Sequence, residues 1–374
     1  MKTKIVIITN MPSFYRVDLF NRLTEQDKYD INVIFCRRIE KNLRKWDIDE
    51  KSFKFNYLFL NSSSIEFNPS GINEKKIIYL PGKIVSVIKS ISPEAVISFE
   101  YNPVSLTAFF HCKTHKIKYI SWSDGTIDSD TNLNFIQYLI RKLICPKSDA
   151  LIASSSLTKE SQIKYGADPR NIFISLLTIN GNQFTNELNK ESRNPGEIVT
   201  LITVSYLFKR KGIENLLNAL KDLNAEYRLL IIGDGPEKEN LSKMITAFSL
   251  DNKVILVGYK NRTEIIEYFR NSDGLLFPTL LEQFGLVTVE ALFASLPLII
   301  SKYAGSINDV LIDSVNGYMI DPYNKDDMIS KIEKLIKNKE LRESMRLKSL
   351  EISKKFDIDI AKENFLKAID YVLD

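Results

Sequence analysis

The feature that most constrains this chain is an alternation of short β-rich apolar runs with amphipathic stretches, carried through twice. In the front half, residues 4–9 (KIVIIT), 31–35 (INVIF), 95–99 (AVISF), 119–122 (YISW) and 150–153 (ALIA) read as strands, with 172–175 (IFIS) a weaker one. The early runs lack strict apolar–polar alternation, so burial on both faces is expected, as in a parallel sheet. Residues 17–23 and 82–90 read as helices between them, the second behind Pro81, a residue suited to a helix start. Residues 178–197 (TINGNQFTNELNKESRNPGE) break the pattern with Asn, Ser, Gly and Pro and read as a linker. In the second series strands are expected at 198–204, 228–232, 254–257, 274–277, 298–301 and 318–320. Helices fit at 213–220, 236–248, 263–270, 288–294 and 325–337. The pattern predicts an α/β protein: two doubly wound parallel-sheet domains facing a cleft, at 1–178 and 198–357, with the linker at 179–197.

Length, cysteine usage and charge narrow the class. The 374 residues allow two domains of ordinary size, each with its own core. No apolar stretch reaches the roughly 20 residues that span a bilayer. The apolar run at the start is too short for a signal peptide. Cys36, Cys112 and Cys145 are far apart, which fits reduced, buried thiols in a cytoplasmic protein better than metal ligands. The net charge of +4 is uneven: residues 1–180 carry 25 Lys and Arg against 18 Asp and Glu, and the remainder 26 against 29. A basic front half fits an anionic partner, such as a phosphorylated acceptor or a membrane surface, and fits solvated lysines equally. The same two readings apply to Arg37, Arg38, Lys41, Arg44, Lys45 and Trp46, clustered in CRRIEKNLRKW. No nucleic-acid partner is expected.

Three stretches of the back half carry chemistry. The richest is 278–301, PTLLEQFGLVTVEALFASLPLIIS. A strand is expected to end at Phe277, a loop carries Glu282, and a helix should begin near Phe284 and Gly285. Gly285 removes Cβ bulk where a ligand would approach the backbone. The N–H groups of Phe284, Gly285, Leu286 and Val287 would then make, with the helix dipole, a diphosphate site. Glu290 lies in an otherwise apolar helix, where a carboxylate is costly without partners. Ribose hydroxyls would be such partners; a local network or a lysine across the domain is the alternative. The second stretch, 204–212 (VSYLFKRKG), sets Lys209, Arg210 and Lys211 before Gly212. Cations at a strand's C-terminal end can neutralise a leaving diphosphate, or simply line a solvated loop. The third is the Gly233 and Gly235 turn of 231–236 (IIGDGP).

Together these residues resemble the glycosyltransferase family 4 signature, two glutamates separated by seven residues around an F-G-L-V core. The match runs through Glu282, Phe284, Gly285, Leu286, Val287 and Glu290, then Ala291, Pro297, Ile299, Gly305, Asn316, Gly317 and Tyr318. The resemblance implies the GT-B fold, two Rossmann-like domains, and metal-independent sugar transfer with retention of anomeric configuration. It implies a terminal helix, 358–373, that packs back on the front domain. Glu290 would bind the donor ribose, and Glu282 would face the donor sugar near the diphosphate. The F-G-L-V amides would hold phosphates and sugar, and Lys211 the diphosphate. Ser205 and Tyr206 stand where the family has Gly and Arg, so Arg210 or Lys209 would supply the second phosphate cation. Gly233 and Gly235 match the family's I-G-x-G-P element lining the nucleotide pocket, and Val257–Gly258–Tyr259 the element near the base. The donor would be a nucleotide sugar, UDP being the commonest base among such enzymes, with no resident cofactor. The acceptor would be a saccharide or lipid-linked saccharide of a bacterial surface polysaccharide or glycolipid. The protein would then be cytoplasmic, with a peripheral contact at the inner face of the cell membrane.

The front half offers fewer handles. In residues 9–19 (TNMPSFYRVDL) no glycine follows the first strand. The P-S-x-Y-R run resembles a subset of these enzymes in bacterial polysaccharide assembly, which would place Tyr15 and Arg16 on the acceptor side. Arg16 would meet an anionic acceptor, or pair with Asp18 or Glu25 on the helix surface. WSDGT (122–126) has no histidine where many family members have one, leaving Asp124 as a sugar contact or acceptor-activating group, with Glu100 a similar candidate. His111 and His115 sit at i, i+4 without a third ligand, so no metal is expected. Two other readings fit the architecture: a nucleotide-sugar epimerase, and a non-catalytic partner of another transferase. A dehydrogenase is disfavoured by the missing G-x-G-x-x-G, and a kinase by the missing P-loop.

Overall fold

The computed structural model describes residues 2–38, 48–67, 76–131, 133–184 and 198–374. The chain forms two compact units. The first takes in the described residues up to Asn180 together with Ile358–Asp374, and the second runs from Gly181 to Asp357.

In the first unit the strands are β1 (Thr3–Thr9), β2 (Tyr29–Phe35), β3 (Asn56–Phe59), β4 (Ser64–Phe67), β5 (Lys76–Tyr79), β6 (Ala95–Phe99), β7 (Lys118–Ser123), β8 (Ala150–Ala153) and β9 (Ile172–Ile174). Seven form one parallel sheet in the order β3-β2-β1-β6-β7-β8-β9. β4 and β5 make a separate antiparallel pair that the sequence pattern does not reveal. The helices include α1 (Phe14–Leu23), α2 (Ile84–Ile91), α3 (Pro103–His115), α4 (Phe135–Ile144) and α5 (Ser156–Lys164).

Because side chains alternate across a strand, β1 feeds two cores at once. Ile5 and Ile7 pack with Val17, Phe20 and Leu23 of α1 and with Phe365 and Ile369 of the terminal helix Ile358–Leu373. Val6 and Ile8 pack with Ile84 and Ile88 of α2 and Val104, Ala108 and Phe109 of α3. Burial on both faces explains why these strands read as unbroken Ile and Val runs. Cys36, Cys112 and Cys145 are buried free thiols in the second of these cores.

The second unit carries β10 (Val199–Val204), β11 (Tyr227–Ile232), β12 (Val254–Gly258), β13 (Gly274–Phe277), β14 (Leu298–Ser301) and β15 (Gly317–Ile320). They form a parallel sheet in the order β12-β11-β10-β13-β14-β15. In both sheets the order reverses beside the first strand, so loops distant in sequence meet at the C-terminal edge, where open α/β sheets bind ligands. Among the described residues no helix is long and apolar enough to cross a membrane.

Candidate active site

In the second unit the site begins where β10 and β13 pair, at Leu201 with Gly274 and Ile202 with Leu275. That pairing brings the loop after β10 against the loop after β13. The Leu280 amide donates to the Arg210 carbonyl at 2.7 Å, and Thr279 Oγ1 donates to the same oxygen at 3.1 Å. Arg210 and Lys211 therefore converge on Glu282. Arg210 Nη1 reaches Glu282 Oε2 at 3.1 Å and the Leu281 carbonyl at 3.1 Å, and Lys211 Nζ bonds the same carboxylate oxygen. The Glu282 side chain is only 15% exposed. Burial alone would raise its pKa, but Lys211 and Arg210 outweigh it and hold the carboxyl down at about 2. Glu282 is thus a permanent anion that fixes two cations at the edge of the sheet.

The segment after Glu282 turns sharply. Gly285 has φ +91°, and a Cβ there would stand 2.7 Å from the Phe277 ring, so glycine is required. The helix is Val287–Phe293, one residue ahead of the 288–294 expectation and after the start expected near Phe284 and Gly285, because Gly285 turns the chain at positive φ before it. Among the described residues, nothing accepts a hydrogen bond from the amides of Phe284, Gly285, Leu286 or Val287. One turn on, Glu290 meets an arginine rather than a lysine: Arg262 Nη1 donates to its Oε1 at 3.2 Å, and Arg262 Nε donates to Gln183 Oε1 at 2.8 Å. Burial raises the Glu290 pKa, and Arg262 offsets part of that rise.

The glycine turn after β11 is stitched to the loop after β10. The Leu207 amide donates to the Asp234 carbonyl at 2.9 Å, and the Gly233 amide to the Gly258 carbonyl at 2.9 Å. A Cβ on Gly233, at φ +137°, would lie 1.8 Å from the Ser205 carbonyl oxygen. Gly235 packs on Leu207 in the same way. Tyr259, just past β12, is half exposed.

The first unit gathers a second polar cluster at the edge of its sheet. Arg16 does not lie on the helix surface; it is 6% exposed. Its Nη1 donates to Thr9 Oγ1 at 3.0 Å and its Nη2 to Asp124 Oδ2 at 3.2 Å. The guanidinium carbon lies 3.7 Å from the centre of the Phe99 ring and 5.1 Å from that of Trp122. Ser154 Oγ donates to the other Asp124 oxygen. A small cavity lies beside the pair, lined in part by Tyr15, Arg16, Trp122, Ser154 and Thr178. Glu100 follows β6 in the left-handed conformation, φ +62°, and its Oε1 accepts from the Asp124 amide at 2.9 Å. Burial first, and the neighbouring Asp124 charge second, push its carboxyl up to about 7.

Residues 184–350 match the family model of glycosyl transferases group 1. An uncharacterised glycosyltransferase of Methanocaldococcus jannaschii is 30% identical over 221 residues, covering 56% of this chain and 62% of that protein. One of Haemophilus influenzae is 23% identical over 347 residues, covering 92% and 91%. A third relative is the Campylobacter jejuni N-acetylgalactosamine-N,N'-diacetylbacillosaminyl-diphospho-undecaprenol 4-alpha-N-acetylgalactosaminyltransferase, 22% identical over 321 residues, 84% of this chain and 86% of that one. Among solved structures, a Rickettsia africae glycosyltransferase matches with a TM-score of 0.79 at 16% identity, covering 100% of this chain and 99% of that one. Anabaena HepE in complex with UDP matches with a TM-score of 0.76 at 16% identity, covering 99% and 100%. The fold is GT-B. The family match and the relatives support a group 1 glycosyltransferase.

Within this GT-B protein the sequence-flagged residues fall into three sets. Arg210, Lys211 and Glu282 are in direct contact, as are Arg16 and Asp124. Glu290 has a separate partner. Arg262 and Gln183 escape sequence reasoning because each sits among ordinary polar residues. The available signal is the Asn261–Glu264 capping box, which starts a helix shortly after β12 with Arg262 as its first residue. Of the basic cluster at 36–46, Lys41, Arg44, Lys45 and Trp46 lie outside the described residues. Arg38 pairs with Glu50 at 3.0 Å. Residues 185–197 of the expected linker also lie outside them.

Proposed function

We propose that the protein transfers a sugar, with retention and without a metal, from a nucleoside diphosphate donor to a lipid-linked saccharide hydroxyl. Arg210 and Lys211, held by Glu282 beside the amides of Phe284–Val287, carry this reading. As the bond between anomeric carbon and diphosphate breaks, the electron pair leaves with the phosphate oxygen. Preorganised cations and N–H groups at that oxygen stabilise the developing charge more than the ground state. Glu290, kept in place by Arg262, takes the ribose hydroxyls, and the Gly233–Gly235 turn and Tyr259 line the nucleotide pocket. UDP is the base we assign, in keeping with the UDP complex of the Anabaena neighbour.

On the acceptor side we assign Tyr15, Arg16, Asp124 and Glu100. Asp124, ion-paired to Arg16, orients the turn after β7. Glu100, with its carboxyl near 7, takes the proton as the acceptor O–H bond breaks and oxygen bonds the anomeric carbon. The Campylobacter relative's name specifies a diphospho-undecaprenol substrate, which supports a lipid-linked acceptor; we place that acceptor in bacterial polysaccharide or glycolipid assembly, met at the inner face of the membrane.

Thermal melting with UDP, GDP and ADP, with and without magnesium, tests the donor side. A ligand that binds only the native state raises the melting temperature. UDP should do so in the absence of magnesium, and Glu290→Ala should lose the shift. No shift from any nucleotide would overturn the proposal.

A further inference from the structure

Helix α4 is amphipathic the wrong way round. Phe135 is 73% exposed, Ile136 67%, Leu139 47% and Tyr138 42%, whereas Arg141 is 7% exposed. At about 100° per residue, Phe135, Leu139 and Ile136 occupy one contiguous arc with Leu143, and Arg141 and the buried Ile144 lie opposite. A surface helix normally turns such residues the other way.

Specific contacts hold this rotation. Arg141 Nε and Nη2 each donate to Asp130, at 3.0 and 3.0 Å, and Nη1 donates to the Gln137 carbonyl at 3.2 Å. The guanidinium carbon stands 4.9 Å from the Tyr101 ring centre and 5.8 Å from that of Tyr165. A capping box between Asn134 and Gln137 sets the first turn. A bidentate, ring-flanked arginine is not free to exchange places with Phe135. The apolar face is therefore held outward, as at surfaces that bind something. The end of α5 lies beside α4, where Lys142 Nζ donates to the Lys164 carbonyl at 3.1 Å.

The fringe is basic. α4 has no acidic residue, and Lys142, Lys147 and Lys164 are exposed in and beside α4 and α5. Of the two acids between Leu133 and Ala167, Asp149 is paired with Lys113 at 2.7 Å, leaving Glu160. An aromatic and aliphatic ridge fringed by lysines is the pattern of a helix lying in a headgroup interface.

We infer that the outward face of α4 docks on a bilayer containing anionic lipids, with Phe135, Ile136 and Leu139 entering the headgroup–acyl boundary and Lys142, Lys147 and Lys164 meeting the phosphates. The inference gives the proposed membrane contact its surface and rests on that reading, while its test is independent of the donor site. Full-length protein is sedimented with phosphatidylcholine vesicles and with vesicles that also contain phosphatidylglycerol. Binding should require phosphatidylglycerol and weaken with salt. The double variant Phe135→Ser, Ile136→Ser and the single variant Lys142→Glu should each bind about tenfold more weakly or worse, with unchanged melting temperature and unchanged nucleotide-induced shift. Equal binding by wild type and the double variant, or binding to neither vesicle, would overturn it. So would a wild-type dimer that the double variant converts to monomer, since a second copy would then cover α4. A lost nucleotide shift with vesicle binding intact would instead count against the donor site alone.

Discussion

Arg16 and Asp124, 108 positions apart, form a buried ion pair of 3.2 Å in which neither side chain is more than 11% exposed. The sequence marks both residues, yet offers no sign that they belong to each other. Strand order joins them: β1 neighbours β6 and β6 neighbours β7, so the segments that follow β1 and β7 reach the same edge of the sheet. The Phe99 ring between those edges supplies a face for the guanidinium.

Removing one partner leaves the other charged and buried. Arg16→Met or Asp124→Asn should each cost about 3–5 kcal/mol in denaturant unfolding. A double-mutant cycle should show strong coupling. Additive losses would mean that the two charges are solvated independently.

Lys211→Ala removes a cation from the proposed diphosphate site while Glu282 keeps Arg210. We expect kcat to fall about 10²–10³-fold with the fold intact by circular dichroism. Because Lys211 is the larger of the two charges that hold the buried Glu282 carboxyl down, that carboxyl should rise in the variant, and the loss should deepen as pH falls. Near-wild-type turnover would remove Lys211 from the mechanism.

Glu100 makes stability depend on pH. The folded protein holds this proton up to about pH 7, while the unfolded chain releases it near 4.5. Between those values the folded state binds more protons, so its stability falls as pH rises. Glu100→Gln removes the effect. The variant should gain on wild type through that window, reaching on the order of 3 kcal/mol above it, while losing transfer. Parallel stability curves for the two proteins would exclude a raised Glu100.

Gly233→Ala would set a methyl group 1.8 Å from the Ser205 carbonyl in a backbone region that side chains avoid. We expect a loss of about 2 kcal/mol or more, together with weakened nucleotide binding, because the loops after β10 and β11 must part. Melting temperature and a UDP titration read the two effects separately.

Local sequence determined much of this protein. The runs at 95–99 and 150–153 are strands over those same residues, because a strand buried on both faces must be apolar throughout. The F-G-L-V segment was legible because Glu290 is a carboxylate in an apolar helix, costly and visible locally, and because its spacing from Glu282 resembles a known signature; that Gly285 turns at positive φ only the structure shows. The edge strand β3 was hidden, since Asn56, Tyr57 and Leu58 are exposed and carry no buried pattern. So was α4, whose apolar face points outward; its residues specify a helix, but only Asp130 and the rings of Tyr101 and Tyr165 decide which way it turns. Tertiary structure alone chose the partners of Glu282, Glu290, Arg16 and Asp124. A charged side chain records in sequence only that it needs a counter-charge. Which one it receives depends on strand order, which brings residues 72 and 108 positions apart within bonding distance.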